Sequence, residues 1–381
     1  MSTGISKRFT VAMIGLKGLP VRKDSGGVER HVEELASRLV QAGLDVLAYV
    51  RPRHTHTRKS ECRGIRLQRM PSIPTKSLDT LTHTLLSSLS VLFKKVDIIH
   101  YHGIGPSTLA WIPRLFKPRS RVVVTFHSID RFHQKWGPLA RAYLRFAEWT
   151  ALRYPHATIA VSRSIQGYCR EHYGSEPTYI PNGATVRSVH PGRDRLKEWS
   201  LEPDGYILTV ARLVRQKGIH HLIEAYGRLK TDKKLVIAGA AGFGTGEYAA
   251  YLRDLSRGNS SVVFTGFQSG ESLAQLYANA YLYVHPSEAE GLSVSILEAM
   301  SYGRCVLVSD IPENLESIDH SGLTFHNADP DDLAERLTAL LNHPEIVRER
   351  GERARKWVSW EYDWGTIADR TAALYLDLLM R

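Results

Sequence analysis

Apolar and polar positions along the chain form short unbroken Val/Ile/Leu runs that alternate with stretches of helical period, from one end to the other. In the first half FTVAMIG, LDVLAYV, IRLQRM, VDIIHYH, RVVVTFH, ATIAVS and PTYIP predict strands. Helices are expected there around 27–42, 77–94, 105–116, 138–153 and 163–173. In the second half GYILTVA, KLVIAGA, SVVFTG, AYLYVHP, RCVLVSD and GLTFH alternate with helices near 217–229, 246–256, 270–279, 293–302 and 330–341. Runs that are apolar throughout, rather than at every second position, suit parallel strands covered on both faces. The pattern predicts an α/β protein of two doubly wound, Rossmann-like parallel-sheet domains.

One segment breaks this rhythm with Pro, Gly and charge: YIPNGATVRSVHPGRDRLKEWSLEPDG. The expected division is a first domain over 1–187, a linker over 188–203, a second domain over 204–360, and a closing helix over 361–381 packed toward the first domain. The helical stretches EIVRERGERARKWVSW and WGTIADRTAALYLDLLM have no strand between them and suit a return across an interdomain cleft. Open α/β sheets bind ligands at the carboxyl ends of their strands, so that cleft is where a ligand is expected.

Bulk properties narrow the classes. A chain of 381 residues, 43% hydrophobic and 23% charged, is globular and large enough for two cores. Cys62, Cys169 and Cys305 are far apart and form no C-x-x-C pair, which argues against a disulfide framework and a cysteine zinc site and suits a reducing cytosol. The N-terminal apolar run is shorter than a signal h-region, and no stretch approaches the length of a membrane span, so membrane contact is expected to be peripheral. The net charge of +11 conceals an asymmetry: residues 1–200 hold 32 Lys+Arg against 14 Asp+Glu, and residues 201–381 hold 18 against 25. A basic half can face nucleic acid, anionic lipid or phosphorylated substrates. The basic residues are dispersed, and no zinc finger, RNP or KH motif accompanies them, which argues against nucleic acid.

Candidate chemistry concentrates in the second half. EAEGLSVSILEAM follows a strand, with Gly291 permitting a sharp turn before a helix that starts near Leu292 or Ser293. Free N–H groups at a helix start favour phosphate oxygens, and Glu290 and Glu298 would flank that anion site. The alternative is a pair of surface acids on a helix. In ILTVARLVRQKGIHHLIEA, Arg212 and Lys217 lie in another strand-to-helix loop, a fork and a point charge suited to a diphosphate. Gly26–Gly27 permits close backbone approach, and Glu29 sits where it can cap the following helix. GLKGL and GAAGFGTG lack the full dinucleotide fingerprint, and no P-loop motif is present. DPDD at 329–332 reads as a helix N-cap rather than a metal-binding D-x-D. His100 and His102 alternate on one strand without a third ligand nearby in sequence, so no metal is expected.

On the Glu290…Glu298 and Arg212…Lys217 spacings, the chain resembles the retaining nucleotide-sugar glycosyltransferases of family 4, which have the GT-B fold of two facing Rossmann-like domains. DSGGVERHVEELASRL, TFH ending at His127, AVS at 160–162 and YIPNG at 179–183 support the likeness. KGLPVRKDSGGVERHVEEL, HYHGIGPS and HQKWGPLARAYLRFAEW look most like a bacterial envelope-polysaccharide branch. The resemblance implies that Glu298 binds the ribose, Arg212 and Lys217 the diphosphate, and Glu290 with the backbone of Gly291, Leu292 and Ser293 the sugar and distal phosphate. It also implies that Gly26–Gly27 lies near the donor phosphates and that His127 contacts the donor sugar. The donor is then a nucleoside-diphosphate sugar used as substrate, with no metal or other cofactor. The acceptor is a glycan or a polyprenyl-diphosphate-linked oligosaccharide at the inner face of the cell membrane. Phosphorylase- or epimerase-like action on small sugars, and idle nucleotide-sugar binding, are the rival readings. Base selectivity would come from backbone contacts around Gly266–Phe267. In GPLARAYLRFAEWTALRYP, Arg141 and Arg145 with Tyr143, Phe146 and Trp149 fit a membrane-interface helix, or equally an amphipathic core helix with snorkelling arginines.

Overall fold

The computed structural model describes residues 8–22, 25–55, 57–75, 78–129, 131, 137–186, 191–241 and 246–381. Expectations that touch Asp24, the HQKW start at 133–136, linker residues 187–190 or the glycines within 242–245 lie outside the described residues. The chain divides into two compact units, Met1–Asn182 with Trp364–Arg381, and Gly183–Asp363.

The first unit runs β1 (Thr10–Ile14), α1 (Gly27–Gln41), β2 (Asp45–Val50), β3 (Glu61–Cys62), β4 (Ile65–Arg69), α2 (Leu78–Leu92) and β5 (Ile98–His102). It continues through α3 (Ile104–Ser107), α4 (Trp111–Phe116), β6 (Arg121–Phe126), α5 (Pro138–Arg153), β7 (Ala157–Ala160), α6 (Arg163–Tyr173) and β8 (Thr178–Tyr179). The strands pair in the order β3-β4-β2-β1-β5-β6-β7-β8. Every pair is parallel except β3 with β4, a short hairpin whose turn residues Arg63 and Gly64 both have positive φ, as a two-residue turn of this hand requires. The single helix expected over 105–116 is two. Pro113 has no N–H to return to Leu109, so the helix breaks after Ser107 and restarts with Pro113 in its first turn.

The second unit runs β9 (Tyr206–Val210), α7 (Ile219–Tyr226), β10 (Lys234–Ala238), α8 (Gly246–Leu255), β11 (Val262–Gly266), α9 (Gly270–Asn279) and β12 (Leu282–His285). After these come α10 (Val294–Ser301), β13 (Cys305–Ser309), α11 (Pro312–Ile318), β14 (Leu323–Phe325), α12 (Pro330–Asn342) and α13 (Pro344–Glu361). Its sheet, ordered β11-β10-β9-β12-β13-β14, is parallel throughout. α11 was absent from the expected elements, although Pro312 at its first turn and Glu313 beside it are ordinary start signals. Asp329 caps α12 through bonds from the N–H groups of Asp331 and Asp332 at 2.9 and 3.1 Å.

The chain changes unit at Asn182/Gly183, inside the segment where Pro and Gly interrupt the pattern but ahead of the linker expected over 188–203. The reason is α9: Gln275 donates to the Pro191 carbonyl and accepts from Arg195 N–H, and Asn279 donates to the Gly192 carbonyl. Those bonds make 191–199 part of the second unit. α13 stays with α10 and β13, whereas α14 (Trp364–Met380) buries Trp364, Ile367, Tyr375 and Leu378 in the first core beside α1.

Each sheet reverses its winding once, between β1 and β5 in the first unit and between β9 and β12 in the second. Connections leave such neighbouring strands in opposite directions, and the crevice so opened at their carboxyl ends is where α/β sheets hold ligands.

Candidate functional site

At the second reversal the loop after β9 meets the loop after β12. Gly218 makes this approach possible: it has φ +60°, and a Cβ built on it would stand 1.8 Å from the Pro286 carbonyl oxygen. The N–H of Glu288 and the hydroxyl of Ser287 both bond the Gln216 carbonyl, at 2.8 and 3.2 Å, and stitch the loops together. Lys217 is thereby delivered to Glu290, and the two form an ion pair whose side chains are 13% and 9% exposed.

The same oxygen of Glu290, Oε1, accepts from Nε2 of His285 at 2.7 Å. His285 ends β12, with its Nδ1 3.0 Å from the Tyr283 hydroxyl and its Nε2 3.2 Å from Oγ of Ser293. Burial alone would raise the Glu290 carboxyl, but the Lys217 charge and the His285 bond outweigh it and hold the group well below the usual carboxylate range. Burial lowers His285 against the pull of Glu290, which keeps the ring neutral. Neutral His285 then donates from Nε2 to Glu290 and accepts at Nδ1 from Tyr283.

Ser293 is the N-cap of α10, yet its side chain caps no N–H of the first turn. Its hydroxyl faces His285 and Ser295 instead, so Ser293 does not cap the helix start with its own side chain. Gly291, Leu292 and Ser293 are buried around this start, and Glu298 is half-buried further along α10. Arg212 lies on the Lys217 loop but is exposed. The fold therefore brings Lys217, Glu290 and Ser293 together, and adds His285 and Tyr283, which the sequence reading had passed over as part of an apolar run. The available signal was position: a polar residue closing a parallel strand at a winding reversal.

At the first reversal Glu29 holds the turn before α1. Its carboxylate accepts from Lys17 N–H at 3.0 Å and Gly26 N–H at 2.6 Å, completing the expected cap. Four imidazoles gather in this unit. His31 bonds Oδ1 of Asn182 at 2.8 Å, His102 Nδ1 lies 3.2 Å from His127 Nε2, and His100 is held between Tyr375 and Thr125. Burial lowers His31 to about 4 and His100 to about 3, and drives His102 and His127 well below 6.5. His31 Nε2 is buried without a hydrogen-bond partner among the described residues.

Ring nitrogens of His31, His102 and His127 lie within 4.8 Å of one another, and His220, His221 and Glu288 form a second such group. Both sets have the composition of a divalent-cation site. In the first, His102 and His127 are already hydrogen-bonded to each other. Of the pair His100 and His102 only His102 belongs to this group, with His127 and with His31, which α1 supplies from about seventy residues upstream.

These histidines make the chain acid-sensitive. In the unfolded chain an imidazole takes up a proton near 6.5, whereas His31, and likewise His83 buried on α2, do so only near 4 in the fold. The stability they confer is complete above 6.5 and is lost as the pH falls from there toward 4. The melting temperature should therefore drop between about pH 7 and about pH 5, above the range where Glu290 contributes. A flat profile over that interval would contradict the burial of neutral rings.

Comparison with known proteins bears on what this geometry serves. Residues 25–187 match the description Glycosyltransferase Family 4, and residues 193–357 match Glycosyl transferases group 1. Alpha-maltose-1-phosphate synthase of Mycobacterium tuberculosis is 31% identical over 282 residues, 66% of this chain and 72% of that protein. The chain belongs to the glycosyltransferases. Its fold is that of sucrose-phosphate synthase from Thermosynechococcus elongatus, with TM-score 0.85 and 23% identity over 98% of this chain and 99% of that one. HepE from Anabaena, solved in complex with UDP-glucose, is similar at TM-score 0.79 and 20% identity over 97% and 100%. As a glycosyltransferase the chain carries the Lys217–Glu290–His285 cluster within the group 1 region, and the Glu29-capped turn and His127 within the family 4 region.

Proposed function

We propose that this glycosyltransferase moves a hexosyl unit from a nucleoside-diphosphate sugar to a hydroxyl of a glycan or lipid-linked oligosaccharide, with retention of configuration and no required metal. The observation that carries the reading is the Lys217–Glu290–His285 cluster beside the start of α10, which Ser293 does not cap with its side chain. Such a start attracts phosphate oxygens, and a cation and a carboxylate beside it suit a diphosphate and sugar hydroxyls respectively. Lys217 and Arg212 are assigned to the diphosphate, Glu290 and the backbone of Gly291, Leu292 and Ser293 to the sugar and distal phosphate, and Glu298 to the ribose. Gly26, Gly27 and His127 are assigned to the donor by family resemblance.

In the reaction the acceptor oxygen bonds to the anomeric carbon on the face from which the nucleotide leaves. The bond from that carbon to the diphosphate oxygen breaks with its electron pair on the oxygen, which takes the acceptor proton. Charge grows on the leaving phosphate, so cations fixed beside it lower the barrier. Neutral His285, which is not consumed, keeps Glu290 oriented.

A phosphorylated small-sugar acceptor is the second reading, favoured by the products named in maltose-1-phosphate synthase and sucrose-phosphate synthase. Proton NMR of the product formed from an α-linked nucleotide sugar tests the reading. An α-anomeric product in the presence of EDTA supports it, and a β-anomer or a strict need for divalent cation overturns it.

Gly27 offers a separate check. A Cβ there would meet no atom within 4 Å, so the fold does not need this glycine. Gly27→Ala should leave the melting temperature unchanged or raise it slightly, and weaken nucleotide-sugar binding about tenfold. Unchanged affinity by calorimetry would remove this turn from the donor site.

A further inference from the structure

α2 is folded inside out. Its buried side carries His83, Thr84, Ser87 and Ser88, with Val91 the one apolar residue buried beside them among its described side chains, while Leu78, Leu81, Leu85 and Leu89 are 39% to 43% exposed. The buried hydroxyls are satisfied: Thr84 and Ser87 donate to carbonyls one turn back at 2.7 Å, and Ser88 meets the Tyr101 hydroxyl at 2.7 Å. With the hydroxyls satisfied, the arrangement puts the apolar stripe where a water-facing helix would be polar.

Two neighbouring helices, though not inverted, also expose apolar side chains. α5 sends Leu144, Ala147 and Ala151 inward and exposes Leu139, Tyr143, Phe146 and Trp149 at spacings of four, three and three, with the last two rings stacked at 5.9 Å. α4 packs against α2 and exposes Trp111, Leu115 and Phe116, and α3 touches both α2 and α5, so the exposed faces belong to one helix layer. Thirteen of the eighteen exposed large apolar side chains among the described residues lie between Ile73 and Trp149, a concentration that scattered surface residues do not produce.

The exposed charge around this layer is mainly cationic: Asp79 of α2 is paired with Arg51, and Asp97, exposed beside Lys94 and Lys95, accepts from Thr10 N–H. Lys94, Lys95, Arg119, Arg141 and Arg145 are exposed, whereas Glu148, the acid of α5, is buried under Tyr168 and Tyr173 at 2.7 and 2.6 Å. No helix among the described residues is long and apolar enough to cross a membrane.

We propose that the α2–α4–α5 layer docks the chain on the surface of a bilayer that contains anionic lipid. Leucines and aromatic rings enter the acyl boundary, and the arginines and lysines meet headgroup phosphates. A second copy of the chain fits less well, because a two-fold contact would set this cationic rim against itself. The proposal goes beyond the donor reading and does not depend on it. It separates the two acceptor readings, since a lipid-linked acceptor is presented at such a surface and a small phosphorylated sugar is not.

The test is co-sedimentation of the full chain with phosphatidylcholine vesicles and with vesicles that also contain phosphatidylglycerol. The expected result is binding to the anionic vesicles, weakened by added salt, and lowered about tenfold by Leu85→Gln with Leu89→Gln or by Phe146→Ser with Trp149→Ser. Melting temperature and nucleotide binding should be unchanged in both variants. A chain that stays in the supernatant, or variants that bind like wild type, overturns the proposal. So does a concentration-dependent dimer, seen by light scattering, that the same substitutions disperse, because the face then belongs to a second copy. Vesicle binding without nucleotide binding would leave the docking surface standing and refute the donor assignment alone.

Discussion

Lys217→Ala is expected to lower transfer on the order of 10²-fold or more, the size of effect seen when one preorganised charge donor is lost from a site of developing negative charge. The substitution acts twice. It removes the cation assigned to the leaving phosphate, and it leaves Glu290, whose side chain is 9% exposed, with only neutral His285 on its Oε1. A carboxylate so placed rises toward its ordinary pKa, because the Lys217 charge is the largest influence opposing its burial. The melting temperature should therefore fall as well, since breaking a buried pair strands the remaining charge. Initial rates and thermal melts of Lys217→Ala and Lys217→Arg check this. Retention of the charge in Lys217→Arg should preserve stability better than activity, because the planar fork cannot occupy the compact contact with Glu290. A Lys217→Ala enzyme within about threefold of wild type would remove Lys217 from the chemistry.

Gly218→Ala should be at least as damaging without touching any charge. The new methyl would lie 1.8 Å from the Pro286 carbonyl oxygen, which is backbone and cannot swing aside, and φ +60° is unfavourable for any L side chain. The β9 loop must then part from the β12 loop, breaking the bonds to the Gln216 carbonyl and carrying Lys217 away from Glu290. The expected cost is more than about 2 kcal/mol in stability, with activity as low as in Lys217→Ala. Denaturant unfolding and turnover measured together decide it. Normal activity in a stable Gly218→Ala protein would mean that the loop junction does not position the site.

The sequence made some of this legible and hid the rest for physical reasons. Parallel strands buried on both faces announce themselves as unbroken apolar runs, so both sheets could be anticipated from FTVAMIG to GLTFH. Caps depend on residues a few positions apart, which is why Glu29 and Asp329 could be assigned before the fold was seen. Lys217 and Glu290 stood out as charges in strand-to-helix loops, although 73 residues separate them and only the β9/β12 adjacency makes them partners. His285 was hidden because a polar residue at the end of YLYVH counts as one more strand position until the strand order is known. His31 was hidden because a core-facing histidine on an amphipathic helix disturbs no period. α2 misleads most, since periodicity says that a stripe exists but not which way it faces. The apolar side of LDTLTHTLLSSLSVL was the natural choice for the core, and the polar side occupies it.

The most direct test of the central claim is calorimetric titration of the protein with UDP, GDP, ADP and dTDP in the presence of EDTA, repeated with Lys217→Ala. The account predicts that one of these nucleotides binds without metal and that Lys217→Ala weakens it at least about tenfold. Absence of binding for all four, binding abolished by EDTA, or equal affinity in the variant would contradict it.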